Sequence, residues 1–230
     1  MTLCQLEKTK KDAARDHSIT VILARSALTK THTKADPNPT HTTPLRLHTI
    51  ASPRVQWFKM YPRVAQTLPE LLGLLRRVES EPRAAIIRAE IMPEHEGEPR
   101  DRKKRSDHFR KDGSEADNKR VWICLDIDDP GQIEPGTPEH VILCEPMQQA
   151  DRTQQDISDY TRHVIDMANL PREFKRASCI VQFSASQLPD FTRPKMHLWF
   201  MLDAAIDGNL IKSYVKIKNK RLKHKIKVDT

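Results

Sequence analysis

Asp126 and Asp128 close an apolar run, Val121-Trp122-Ile123-Cys124-Leu125, and stand two residues apart. Side chains along a β-strand alternate between its faces, so both carboxylates belong to one face, their Cα atoms about 7 Å apart. Carboxylates held that close repel each other unless a cation sits between them. Oxygen donors at the end of an apolar strand therefore suit a hard divalent metal, Mg²⁺ or Mn²⁺. The competing reading is a strand that runs out into an acidic turn, because Asp129-Pro130-Gly131 follows with strong turn chemistry. On this reading Asp129 is a turn former rather than a ligand. Two further residues draw attention. His197 lies in Lys195-Met196-His197-Leu198-Trp199-Phe200-Met201-Leu202, on the same side of the pleat as Trp199 and Met201. Asp229 is an isolated acid in Ile226-Lys227-Val228-Asp229. A histidine within a strand is most often a satisfied core residue.

The elements that must position these groups can be read from periodicity. Ser18 to Leu23 reads as an opening strand, and Trp57 to Met60 as a second. Between them, Thr29 to Pro53 is rich in Thr, His, Pro and Lys and reads as an irregular loop. His32, His41 and His48 lie there, at a spacing that matches no metal motif. Thr67-Leu68-Pro69-Glu70 has the form of a capping box, and Leu68, Leu71, Leu72, Leu75 and Val78 follow at helical spacing. Arg83 to Ile91 reads as a strand, and Pro93 to Lys119 as a charged loop with a basic cluster at Arg100, Arg102, Lys103, Lys104 and Arg105. After the acidic strand, His140 to Cys144 reads as a minor strand. Ile157, Tyr160, Thr161, Val164, Ile165 and Ala168 mark a helix that Pro171 stops. Ala177 to Phe183 and the His197 run, separated by a short polar segment, read as antiparallel neighbours. Asp203 follows the His197 run and reads as a strand-end cap. A last helix is expected from near Asn209, with Ile211, Val215, Leu222 and Ile226 on one face. Its other faces carry Lys212, Lys216, Lys218, Lys220, Arg221, Lys223, Lys225 and Lys227.

The 230 residues are 37% hydrophobic and 30% charged, enough for one large domain or two small ones. A net charge of +8 and a pI near 9.4 favour a polyanionic partner, nucleic acid or an acidic membrane surface. No apolar run approaches the ~20 residues of a membrane span, and the charged first residues lack the apolar core of a signal peptide. Cys4, Cys124, Cys144 and Cys179 are scattered with no C-x-x-C pair. A disulfide scaffold and a zinc ribbon are therefore disfavoured, and a cytoplasmic protein with reduced thiols is expected.

The order of these features is paired acids at a strand end, a Ser-rich turn (Ser184-Ala185-Ser186), a hairpin into a histidine strand, and a late hydrophobic-Asp step. That order resembles the catalytic domain of the archaeo-eukaryotic primase superfamily, in its phage- and plasmid-type primase-polymerases. The family pattern is a strand ending in Asp-x-Asp, a strand with a small-x-His step, and a later hydrophobic-Asp. Here these are Leu125-Asp126-Ile127-Asp128, Lys195-Met196-His197 and Val228-Asp229. Arg83-Ala-Ala-Ile-Ile-Arg88-Ala89, followed by a basic run ahead of the acidic strand, is a softer likeness. The resemblance runs from about Ser18 to the end. Lys195 departs from it, standing where the family has a small residue. The end at Thr230 departs too, since family members continue with further core structure and often a helicase module, so a C-terminal truncation is expected.

The resemblance implies an α/β (α+β) mixed-sheet primase-polymerase core with RRM-like strands and flanking helices. It would occupy residues 18–230, after a charged tail of residues 1–17. Residues 18–120 would form an N-terminal part with the basic loop, and residues 121–230 the part with the acidic and histidine strands. The implied activity is template-directed nucleotide addition with two divalent cations, in replication of a phage, plasmid or integrated element. Asp126 and Asp128 would bridge Mg²⁺ or Mn²⁺, with Asp229 as third ligand. His197, with Ser184, Ser186 or Lys195, would hold the triphosphate of the incoming nucleotide. Expected partners are a single-stranded DNA template, nucleoside triphosphates and a replicative helicase domain or protein, with no membrane. Two other readings stay open: a catalytically inactive nucleic-acid-binding remnant of a primase, and a metal-dependent nuclease. A glycosyltransferase also presents Asp-x-Asp, but its donors give no reason for a basic chain.

Overall fold

The computed structural model describes residues 17–24, 31–33, 48–50, 57–81, 83–87, 97, 100–101, 119–184, 187–222 and 225–228. The chain divides into two compact units, one of Ser18–Ala65 and Pro69–Asp117, the other chiefly Asn118–Thr230.

In the first unit, β1 (Ser18–Ala24), β4 (Trp57–Val64), β5 (Ala84–Ile87) and β6 (Arg100–Asp101) form a sheet in the order β5-β1-β4-β6. β1 is central, and Ile19 and Thr20 on it are almost fully buried. Helix α1 (Leu68–Glu79) links β4 to β5 and buries Leu71, Leu74 and Leu75 at helical spacing. The stretch expected as a loop carries a short antiparallel pair, β2 (Thr31–Thr33) with β3 (His48–Ile50). β-Branched Thr and Ile suit that pairing, although the stretch has no hydrophobic period to announce it. His41 and most of the Arg100 to Arg105 cluster lie outside the described residues.

The second unit is built on β7 (Lys119–Asp129), β8 (Cys179–Phe183), β9 (Met196–Asp207) and β10 (Lys225–Val228), in the order β10-β7-β9-β8. Between β7 and β8 come a π-helical turn (His140–Cys144), α2 (Glu145–Gln148), α3 (Gln154–Met167) and α4 (Arg172–Arg176), and α5 (Gly208–Leu222) joins β9 to β10. The connectivity is β-α-β-β-α-β with each crossover strand split by an antiparallel neighbour, the ferredoxin-like arrangement shared by RRM domains. The fold class is α/β (α+β) as expected. The sheets are not mixed in direction, however: every described strand pair is antiparallel.

One face of this sheet makes the core. Ile123, Leu125 and Ile127 of β7 and Met196, Leu198 and Phe200 of β9 are at most 3% exposed. They pack with Tyr160, Val164 and Ile165 of α3 and with Ile211 and Val215 of α5. Helix α3 starts in a capping box: Asp156 N–H donates to Thr153 Oγ1 at 3.2 Å, and Thr153 N–H donates to Asp156 Oδ2 at 2.7 Å. It ends before Pro171. Asn169 takes φ 47°, and the Leu170 and Asn169 amides donate to Ile165 and Asp166 carbonyls at 3.1 and 2.8 Å, a Schellman closure.

Four further expectations are corrected here. His140 to Cys144 is π-helical rather than a strand, because a short apolar run without alternation fits helix and strand equally. β9 runs on to Asp207, so Asp203 is an exposed residue inside a strand. The cap is Asp207, whose Oδ1 accepts from Asn209 N–H at 2.6 Å at the start of α5. The last helix stops at Leu222, and Lys225-Ile226-Lys227-Val228, which alternates with period two, is a strand. Asp129 is the last residue of β7, paired with Lys225, and the turn begins at Pro130.

The connection from β8 to β9 is anchored at Phe191, a non-glycine residue at φ 54°. Its carbonyl accepts from Tyr160 Oη at 2.6 Å and from Cys144 Sγ at 3.6 Å. Its ring meets Tyr160 edge-on at 5.6 Å and Phe183 at 5.4 Å. Tyr160→Phe should cost about 1–3 kcal/mol, read by denaturant unfolding, because a buried carbonyl loses its best donor. Burial also pushes the Tyr160 phenol upward and the Cys144 thiol up to about 11. Both groups stay neutral in the fold, while the unfolded chain releases their protons first. Stability should hold level to about pH 8.5 and fall as pH rises above it, less steeply in Tyr160→Phe. An unchanged alkaline limb in that variant would show that Tyr160 is not responsible.

Candidate active site

The face of the second sheet away from the core carries the candidate site residues. Odd-numbered residues of β7 point to the core, so Trp122, Cys124 and Asp126 take the other face. On β9 the parity reverses, and His197, Trp199 and Met201 share that face. The register joins the two sets: Asp126 stands directly opposite His197, Cys124 opposite Trp199, and Trp122 opposite Met201. Trp122 and Trp199 are nearly buried, with ring centroids 5.8 Å apart.

Asp126 and His197 face each other across the strand pair. His197 Nε2 lies 3.5 Å from Asp126 Oδ1, with side-chain exposures of 31% and 17%. His197 is thus no core histidine: it faces the carboxylate expected to work with it. The same row extends to β8, where Gln182 stands opposite His197. Sequence reasoning passed over Gln182. The available signal was its parity in Cys179-Ile180-Val181-Gln182-Phe183, the one polar residue in that run besides a cysteine.

Asp128 is placed less simply. β10 pairs with β7 as Ile226 with Ile127 and Lys225 with Asp129, which leaves Asp128 as the extra residue of a β-bulge. Bulges re-aim a side chain and gather at sheet ends beside active sites. The two acids therefore sit at one strand end by virtue of an irregularity, where plain alternation is interrupted. Asp128 is half-buried.

Among the proposed phosphate contacts, Ser184 and Lys195 close the loop between β8 and β9. Ser184 N–H donates to the Lys195 carbonyl at 2.9 Å, and Lys195 N–H donates to Gln187 Oε1 at 2.6 Å. Both residues are thus held at the end of the strands that carry Gln182 and His197. Ser186 and Asp229 lie outside the described residues. β10 carries the chain as far as Val228, opposite Leu125.

Among the described residues there is no group of three His, Cys, Asp or Glu side chains that could hold a metal ion. Asp126 and Asp128 offer two carboxylates. That matches the way Mg²⁺ is often bound, through one or two protein carboxylates with water and substrate phosphates completing the shell. No helix among the described residues is long and apolar enough to cross a membrane. Comparison of the chain with protein-family models, curated proteins and solved structures finds no match. The site thus stands on its own geometry: a carboxylate–histidine pair beside a bulged second carboxylate, on the face of a ferredoxin-like sheet opposite the helices.

Asp126→Asn and Asp128→Asn should each weaken Mn²⁺ binding at least tenfold, followed by the paramagnetic broadening of His197 ring resonances, with circular dichroism unchanged. If both variants bind Mn²⁺ as the parent does, these acids are not a cation site.

Proposed function

We propose that this protein is a nucleotidyltransferase of the DNA primase-polymerase type, extending a 3′-hydroxyl on a single-stranded DNA template. The observation that carries the reading is Asp126 facing His197 at 3.5 Å across the central strand pair, next to a second acid on the same strand end. A carboxylate and an imidazole that face each other at partial burial suit the binding of a charged ligand.

In this reading Asp126 and Asp128 would hold Mg²⁺ or Mn²⁺, with Asp229 as a third donor, and the bound charge would neutralise phosphate oxygens and acidify the attacking hydroxyl. The remaining work belongs to the protein's own groups. His197, whose Nε2 is turned toward Asp126, would supply a ring N–H donor to the triphosphate. Lys195, with Ser184 and Ser186, supplies further donors to the same anion at the loop between β8 and β9. Positioning and charge neutralisation are the main contributions expected in phosphoryl transfer.

The template would lie along lysines. Helix α5 carries exposed Lys212, Lys216 and Lys220, and Lys218 lies 5.6 Å over the Tyr214 ring. The cytoplasm, as the compartment of nucleoside triphosphates and reduced thiols, and a role in replication of a mobile element with a helicase partner belong to the same proposal. A second reading, nucleic-acid binding without catalysis, is favoured by one observation: the exposed lysines of α5 can meet phosphates without any catalytic group.

One experiment separates them. With labelled nucleotides, Mn²⁺ and a primed single-stranded template, the parent chain should incorporate label, and Asp126→Asn and His197→Ala should lose at least 100-fold. Absence of incorporation under both Mn²⁺ and Mg²⁺, with DNA binding intact, would establish the binding module instead. DNA affinity should fall with salt at a log-log slope near −0.7 per phosphate contacted. Replacing Lys212, Lys216, Lys218 and Lys220 with Gln should flatten that slope by two or more. An unchanged slope would move the DNA footprint off α5.

A further inference from the structure

The core-side face of the second sheet is not covered evenly. Met196, Leu198 and Phe200 of β9 are at most 1% exposed, whereas Cys179, Val181 and Phe183 of β8 are only half-buried. Helices α3 and α4 leave a gap over this edge strand, and a cavity of about 300 Å³ opens there. Its apolar wall includes Ile157, Ile165, Phe174 and Val181. Its polar lining is basic and hydroxylic: Arg162, Lys175 and Arg176, with Ser158 and Ser178. That size falls at the lower end of small-molecule sites, and the lining is more polar than is usual for them, which suits a small charged ligand.

We propose that this cavity binds a small organic phosphate, its flat apolar body against Ile165, Phe174 and Val181 and its phosphate against Arg162, Lys175 and Arg176. The charges are available for an anion. Arg162 meets Asp159 at 3.4 Å in a pair whose members are both about half-exposed, and Lys175 pairs with Asp166 in a similar setting. Exposed pairs of this kind are weakly held and readily exchange partners. Arg176, exposed on the last turn of α4, has no acid partner among the described residues. Two guanidinium forks, an ammonium and two hydroxyls offer more donors than a carboxylate can accept, and they suit the three oxygens of a phosphomonoester. The cavity lies on the opposite face of the sheet from Asp126 and His197, so this ligand is distinct from the nucleotide proposed there.

Cys179 lines the cavity and gives a direct readout. Burial pushes its thiol upward, so alkylation is slow and sensitive to further occlusion. Cys124 and Cys144 are buried and serve as internal controls for an intact fold. The rate of Cys179 alkylation by iodoacetamide would be followed by peptide mass spectrometry, in EDTA, against AMP, adenosine and inorganic phosphate. AMP should protect saturably and at concentrations at least tenfold below adenosine or phosphate alone. Arg162→Gln with Arg176→Gln should raise the half-protecting AMP concentration at least tenfold, while Asp126→Asn should leave it unchanged. Protection by AMP no better than by adenosine, or equal in the double variant, would overturn the phosphate assignment. Loss of protection in Asp126→Asn would place the ligand on the other face, and no protection by any probe would leave the cavity without this ligand class. Failure of nucleotide incorporation would not touch the result, because neither EDTA nor Asp126→Asn removes the cavity.

Discussion

The pairing of β7 with β9 fixes nearly everything else in the second unit. Its register sets Leu125 against Leu198 and Asp126 against His197, so one ladder builds the core on one face and the polar row on the other. Strand alternation leaves no independent adjustment of the two. A slip of one residue would turn Asp126 toward Tyr160, Val164 and Ile165, and bring Leu125 into the place of the acid. Burying an unpaired carboxylate among such residues is far costlier than losing a few contacts. The apolar residues that hold the sheet together thereby hold the acid and the histidine in front of each other.

The β-α-β-β-α-β path makes that ladder possible. β7 and β9 are not consecutive in the chain: the helices from the π-turn to α4, then β8, come between them. The short link from β8 back to β9 inserts β9 between two strands that run parallel to each other. The link is tied down at one carbonyl, that of Phe191, which receives a phenol and a thiol from the helical layer. A left-handed backbone at a bulky residue is unfavourable alone, and the surrounding rings and donors over-determine it. The loop that ends in Lys195 is thus pre-shaped by the core.

Much of this was legible because hydrophobic period is a direct image of burial. The strands at Ser18, Trp57 and Val121, the helices at Leu68 and Ile157, and the antiparallel run through His197 follow from it. The meeting of Asp126 and His197 follows from parity once the two runs are taken as neighbours. What escaped had no periodic image. The π-helical turn at His140 to Cys144 is a short apolar run, equally good as strand or helix. The bulge at Asp128 belongs to the partner strand as much as to β7. Residues 225–228 continue the lysines of α5 and so invite a helical reading, yet Ile226 and Val228 alternate with them in the strand period. Asp203 is the first acid after the apolar run and so draws the reading of a cap, while the strand continues through Ala204 and Ala205 to Asp207.

The last strand also bears on how copies of this chain would behave toward one another. β10 contributes only four residues, and it occupies the edge of β7 from Leu125 to Asp129. Were it to peel away, the acidic strand would present a row of unsatisfied amides and carbonyls at the very end that carries Asp126, a template onto which another chain's strand could add. With β10 in place those groups are paired, and a strand of four residues offers little outer edge of its own to a further chain. The final strand is in this sense a guard on association as well as a part of the sheet. Chains that lacked it would be drawn toward exchange of strands between copies.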